Sequence, residues 1–184
     1  MENVKKSYTG ISAKWAVIYV ITSIVITYIL QFLNIDQTSS ARYLGFIPFA
    51  AFLLLAQNEY KSQLGGFITF GQGFMSGFIY ALIGGVILAI FTYIYLKFLS
   101  PQVWDQILSM QKDQLAEKNM SSDQIDQTMT FMKNYGQLFS FIGVIFMDAF
   151  VGAIVALIGA AIFKKERSVL DIEKNSDSYS DPVV

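Results

Sequence analysis

A single ionisable side chain stands inside an otherwise apolar run: Asp148, between Leu138 and Phe163. An acid at the centre of a membrane helix costs at least roughly 2.5 kcal/mol on insertion scales, and such residues usually line bundle interiors or polar pathways. Asp148 lies four, eight and twelve residues before Gly152, Ala156 and Ala160, so in a helix all four share one face. No Lys or Arg falls inside any apolar stretch to pair with it. The acid is therefore expected either to carry a proton or to be hydrogen-bonded to hydroxyls such as those of Thr22, Ser23, Thr27, Tyr80 or Tyr93. Two chemistries follow: a neutral acid tying helices together, which is the preferred expectation, and a relay for a proton or cation. Hydrolysis is not among them, since it normally needs a paired acid and base.

The remaining candidates are poorer. The chain contains neither histidine nor cysteine, which excludes imidazole proton shuttles, thiolate nucleophiles, disulfides, and zinc or haem sites built on those ligands. Asp105, Asp113, Glu117, Asp123 and Asp126 fall in the polar region of the chain and read as solvated helix faces. Gly65-Gly66 and Gly71-x-Gly73 could suggest a phosphate cradle, but no Lys-Ser or Lys-Thr follows them. A formal charge of -1 and a pI near 5.3 offer no basic face for nucleic acid. No catalytic residue, metal ligand or cofactor is expected, and the chain is read as a non-enzyme.

These residues must be positioned by elements that live in lipid. Hydrophobic residues make up 54% of the 184 and charged ones only 15%, against roughly 25% charged in soluble domains. A soluble domain of this size would leave roughly a third of its unfolded-chain surface exposed, too much for so apolar a composition. The expected fold is all-α: a helical integral membrane protein with four transmembrane helices in one domain, 1-167. Spans are placed at about 14-33, 41-58, 70-98 and 138-163. The first contains nineteen uncharged residues from Trp15 to Leu33, near the roughly 20 that cross a hydrocarbon core. It is too long for a signal-peptide core despite Lys5, Lys6 and Lys14 ahead of it. The second holds Pro48 and is marginal without a turn from the polar stretch at Thr38; Arg42 is expected to snorkel at its outer end. Before the third, Leu64 to Ile68 reads as a short interfacial segment, and Thr69 with Gln72 as a capping box.

Between spans three and four, the insert 99-137 reads as an extracytoplasmic hairpin of two amphipathic helices. The first starts at an N-cap Ser100 with Pro101 behind it and shows Trp104, Leu108, Gln111 and Leu115 at helical spacing. A turn at Asn119 to Gln124 with a second N-cap starts the other, faced by Ile125, Met129 and Met132. The tail 168-184 lacks any periodic apolar face and is expected to be a disordered cytoplasmic segment. Eight basic residues fall on the side of the termini (Lys5, Lys6, Lys14, Lys61, Lys164, Lys165, Arg167, Lys174) and five on the other (Arg42, Lys97, Lys112, Lys118, Lys133). The clusters flanking the first and last spans place both termini in the cytoplasm. In span three, Gly73, Gly77, Ala81, Gly85 and Ala89 recur every four residues, matching the series in span four. Small residues let helix backbones approach closely, so these two spans are expected to pack on each other.

The run from Gly65 to Phe74, with Gly77, Phe91-Thr92-Tyr93-Ile94-Tyr95, Pro101 and Met120 to Ile125, resembles the bacterial membrane family called domain of unknown function 4199. The resemblance covers roughly residues 8 to 166. It implies four spans, an outer helical insert and a bacterial inner-membrane location, and it supplies no activity or site residue. The leading expectation for function is a structural or partner-binding component whose partners are the bilayer and a second copy or another membrane protein. The alternative is a small proton- or cation-coupled transporter or channel subunit using Asp148. An enzyme acting on lipid ranks third.

Overall fold

The computed structural model describes residues 7–35 and 40–166. Lys5, Lys6, Thr38, Arg167, Lys174 and the tail 168-184 lie outside the described residues, as does the side chain of Arg42. Five α-helices carry the chain: α1 Tyr8–Phe32, α2 Phe46–Gln63, α3 Phe70–Ile94, α4 Pro101–Glu117 and α5 Ser122–Phe163. A 3-10 helix, Ser40–Gly45, leads into α2, and a π-helical turn, Tyr95–Leu99, ends α3. No strand occurs among the described residues. Among the described residues three helices are long and apolar enough to cross a membrane: α1, α3 with its π turn, and α5. α2 is not one of them, because its apolar run stops at Ala56 and the seven residues that complete it, Gln57 to Gln63, are polar apart from Tyr60. Pro48 is tolerated there because it falls in the first turn, where the missing N–H has no helical partner.

The helix ends are set by local chemistry. α1 and α4 stop where Asn34 and Asn119 enter the left-handed region at φ 52° and 56°. In each case the next N–H reaches back to the carbonyl five residues earlier, Ile35 to Leu30 and Met120 to Leu115, which closes a Schellman turn. α2 ends the same way on Gly65 and Gly66, at φ 80° and 86°, where glycine carries no steric penalty. The short segment expected at Leu64 to Ile68 takes the form of a turn, and Ile68 leaves it to pair with Lys165 in an isolated antiparallel bridge. The capping boxes at Thr69–Gln72 and Ser121–Gln124 are both formed. Ser100 departs from expectation: its hydroxyl caps nothing and instead accepts a hydrogen bond from Gln31 Nε2 at 3.0 Å. Pro101 starts α4 unaided.

The largest departure concerns α5. The second arm of the insert and the last apolar stretch are one unbroken helix of 42 residues, about 63 Å long at 1.5 Å per residue. That is twice a hydrocarbon core of about 30 Å. Nothing in Lys133 to Leu138 breaks a helix, so polarity changes along α5 while backbone geometry does not. α4 folds back on the polar half of α5, burying Trp104, Leu108 and Leu115 against Ile125 and Met129. At the opposite end Ile11, Tyr60 and Ile68 cluster beside Tyr8, Leu64 and Phe163. The start of α1, the end of α2, the start of α3 and the end of α5 therefore lie together.

Candidate functional site

The site is framed by the contact between α3 and α5. Down this seam Gly73 meets Ala160, Gly77 meets Ala156, Ala81 meets Gly152 and Gly85 meets Asp148, each step moving one turn along both antiparallel helices. Cβ of a residue placed at Gly73 would lie 3.2 Å from the Ala160 backbone, and one at Gly85 would lie 3.0 Å from Cβ of Asp148. A Cβ at Gly152 would collide with that of Ala81. Ala89 is fully buried on the same stripe. Asp148 is thus the fourth member of a row of small residues, admitted because Gly85 opposite has no side chain.

The seam is fastened by a residue that the sequence does not single out. Gln57, fully buried on α2, donates from Nε2 to the carbonyls of Gly73 and Ala156, both at 2.9 Å, so one amide joins three helices. Its Oε1 packs against Gly159 and accepts no hydrogen bond. The clue was its place on the face Phe49, Leu53, Gln57, Tyr60, which recurs at helical spacing and is buried throughout. Two further polar ties hold the helices: Ser12 Oγ donates to the Ser76 carbonyl at 2.8 Å, and Tyr80 Oη to that of Phe49 at 3.1 Å. At the end of α2, Glu59 accepts from Lys14 Nζ at 2.6 Å and from Trp15 Nε1 at 2.7 Å. The hydrogen bond from Lys14 holds the Glu59 carboxyl below the usual carboxylate range.

Asp148 is 5% exposed, and its Oδ2 has no hydrogen-bond partner. None of the expected hydroxyls ties it down. Thr22 and Thr27 bond to carbonyls one turn back on their own helix, Tyr80 to Phe49, and Tyr93 accepts from Lys97. Ser23 Oγ is likewise buried, beside the Tyr19 hydroxyl. Asp148 and Ser23 instead line one cavity of about 310 Å³, walled by α1, α2, α3 and α5 and including Tyr19, Thr27, Leu88 and Thr92. A second cavity, about 490 Å³, shares Thr27, Leu88 and Thr92 and continues past Tyr95 to Ile107, Gln111 and Gln114 on α4. On the other side of Asp148 the core closes. The rings of Tyr19, Phe49 and Tyr80 pack with centroids 5.2 to 6.0 Å apart.

Among the described residues no group of His, Cys, Asp or Glu is clustered enough to hold a metal ion. The acids Asp105, Asp113, Glu117, Asp123 and Asp126 stay apart from Asp148, along α4 and the polar half of α5. An all-helical chain that has, among the described residues, three lipid-length apolar helices and one buried acid defines the class: a helical membrane protein. Within it, the model of the family described as "Protein of unknown function (DUF4199)" matches residues 14–165, and the chain belongs to that family. No curated protein and no solved structure matches it.

Proposed function

We propose that the protein is a four-span, multi-pass component of the bacterial inner membrane that binds a small positively charged species, a proton or a monovalent cation, at Asp148. The carrying observation is the unpartnered Asp148 Oδ2 beside a cavity whose walls include Ser23, Thr27 and Thr92. A carboxyl that only tied helices together would be expected on one of the neighbouring hydroxyls, because a polar group buried without a partner is costly. Here that cost is retained and the oxygen is left available to a ligand. The role as a component built to bind partners by packing draws on the small-residue stripes, the outer helical hairpin and the poverty of reactive side chains. Those stripes face each other within the chain, which leaves them nothing to offer a second copy.

Four crossings are supported by the arrangement of ends. α1 must be returned to the end where α3 begins, and α2, at 18 residues about 27 Å long, makes that return. Gln57 makes the return possible by placing its amide on carbonyls rather than in lipid. Both termini are then cytoplasmic, and α4 lies on the outer side. The test is flux in proteoliposomes. Wild-type protein is expected to carry protons or monovalent cations down an imposed gradient, with pH-sensitive and sodium- or potassium-sensitive dyes distinguishing the species. Asp148→Asn is expected to abolish that flux while leaving the protein folded. Equal flux in the two proteins would refute the proposal.

A further inference from the structure

We infer that the cavity at Asp148 and the cavity under α4 are one dead-end half-channel, reached only from the end of the bundle that carries α4. The identity of its ligand rests on the reading of Asp148 given above, while its one-sidedness rests on separate geometry. The two cavities have Thr27, Leu88 and Thr92 as common walls, so they meet where α1 and α3 pack, with the side chains of these three residues at the junction. The outer one reaches Gln114, an exposed residue on α4. Hydroxyls recur along the route at Ser23 and Thr27, one turn apart on α1, and at Thr92 on α3. Together with the carboxylate they suit a partly hydrated cation, which needs oxygen ligands and room for several waters. An anion would meet Asp148 with no compensating positive charge, because the residues lining the two cavities include no Lys or Arg.

Past Asp148 the route stops. Phe49 and Tyr80 are fully buried and Tyr19 is 4% exposed. Tyr80 is fixed by its hydrogen bond to the Phe49 carbonyl. Below this plug the seam leaves no gap, since Gly152 touches Ala81 and Gly77 touches Ala156. Gln57 fills the next layer with both of its amide hydrogens engaged. A ligand at Asp148 therefore exchanges with one compartment in this conformation, and passage to the other requires the aromatic plug to move.

The chain has no cysteine, so a single introduced thiol is the only one present. Ser23→Cys, Thr27→Cys and Thr92→Cys would be exposed in sealed vesicles of each orientation to membrane-impermeant methanethiosulfonates, one cationic and one anionic. Gln114→Cys would report which vesicles present α4, and circular dichroism of each variant would report that its helices are formed. The half-channel positions are expected to react only when the reagent is on the side where Gln114→Cys reacts. The cationic reagent should lead by roughly tenfold, as a unit charge about 10 Å away through a partly wet medium would give, and Asp148→Asn should erase that lead. Reaction from the opposite side, or from neither while Gln114→Cys reacts, would overturn the half-channel and leave Asp148 as a candidate ligand by itself. One-sided reaction with no charge preference would keep the half-channel and remove the cation-binding reading.

Discussion

Most of the specificity in this bundle comes from side chains that are very small or singly polar. Gly152 against Ala81 shows how tight the fit is. Gly152→Ala is expected to destabilise the protein by about 1–3 kcal/mol, the usual cost of overpacking a filled interior. Adding Ala81→Gly should recover most of that loss, because the added methyl then occupies the space vacated opposite. Reversible unfolding in mixed micelles measures both, and a double variant no more stable than the single one would show that the two residues do not share that space. The four-residue spacing of this stripe and the isolation of Asp148 were legible in the sequence, since each is a property of one helix. Gln57 was not. Its partners are carbonyls on two other helices, and nothing in the run Leu55-Ala56-Gln57-Asn58 distinguishes an amide turned inward from one turned to water. Ser100 misled for a related reason: Ser-Pro is a strong local N-cap signal, but Gln31, sixty-nine positions away, competes for the hydroxyl.

At the level of helices, starts and stops were readable because capping chemistry is local. Thr69 with Gln72, Ser121 with Gln124 and the Asn119 turn all use groups within a few residues. What could not be read was continuity. A change from polar to apolar at Leu138 looks like a boundary between elements, yet a helix needs only backbone geometry and the absence of a breaker to continue. The polar half of α5 therefore extends the bundle as a rigid post, and α4 leans on it through Trp104 and Gly136. Cβ of any residue at position 136 would lie 2.7 Å from the indole ring. Gly136→Leu is accordingly expected to push α4 away from α5 and to expose the 118–121 turn and the flank of α4 to added protease. The membrane-embedded fragments should stay associated. Cleavage no faster than in the parent protein would argue that α4 is held from elsewhere, through Tyr95 and Leu96.

For the molecule as a whole, the ends of the helices define two faces. One carries the Lys14–Glu59 pair and the Ile68–Lys165 bridge; the other carries the α4–α5 hairpin. With an even number of crossings, Ser7→Cys and Glu166→Cys should both be labelled from the face opposite to Gln114→Cys, whereas labelling of the two from opposite faces would require an odd number. Composition made a membrane protein legible at once, but the number of crossings turns on α2, whose hydropathy is too diluted by its last two turns to decide it. The seam between α3 and α5 has one more consequence. Displaced by a single turn, about 5.4 Å, it would set Gly77 against Ala160, Ala81 against Ala156, Gly85 against Gly152 and Ala89 against Asp148, so every step would again match small with small except the last. Sterically the displaced notch is the shallower of the two, because Ala81 against Ala156 would repeat the methyl clash that Gly152→Ala creates and Ala89 against Asp148 would take the room that Gly85 leaves. The Gln57 amide adds a second catch, since it cannot grip Gly73 and Ala156 at once after such a slip.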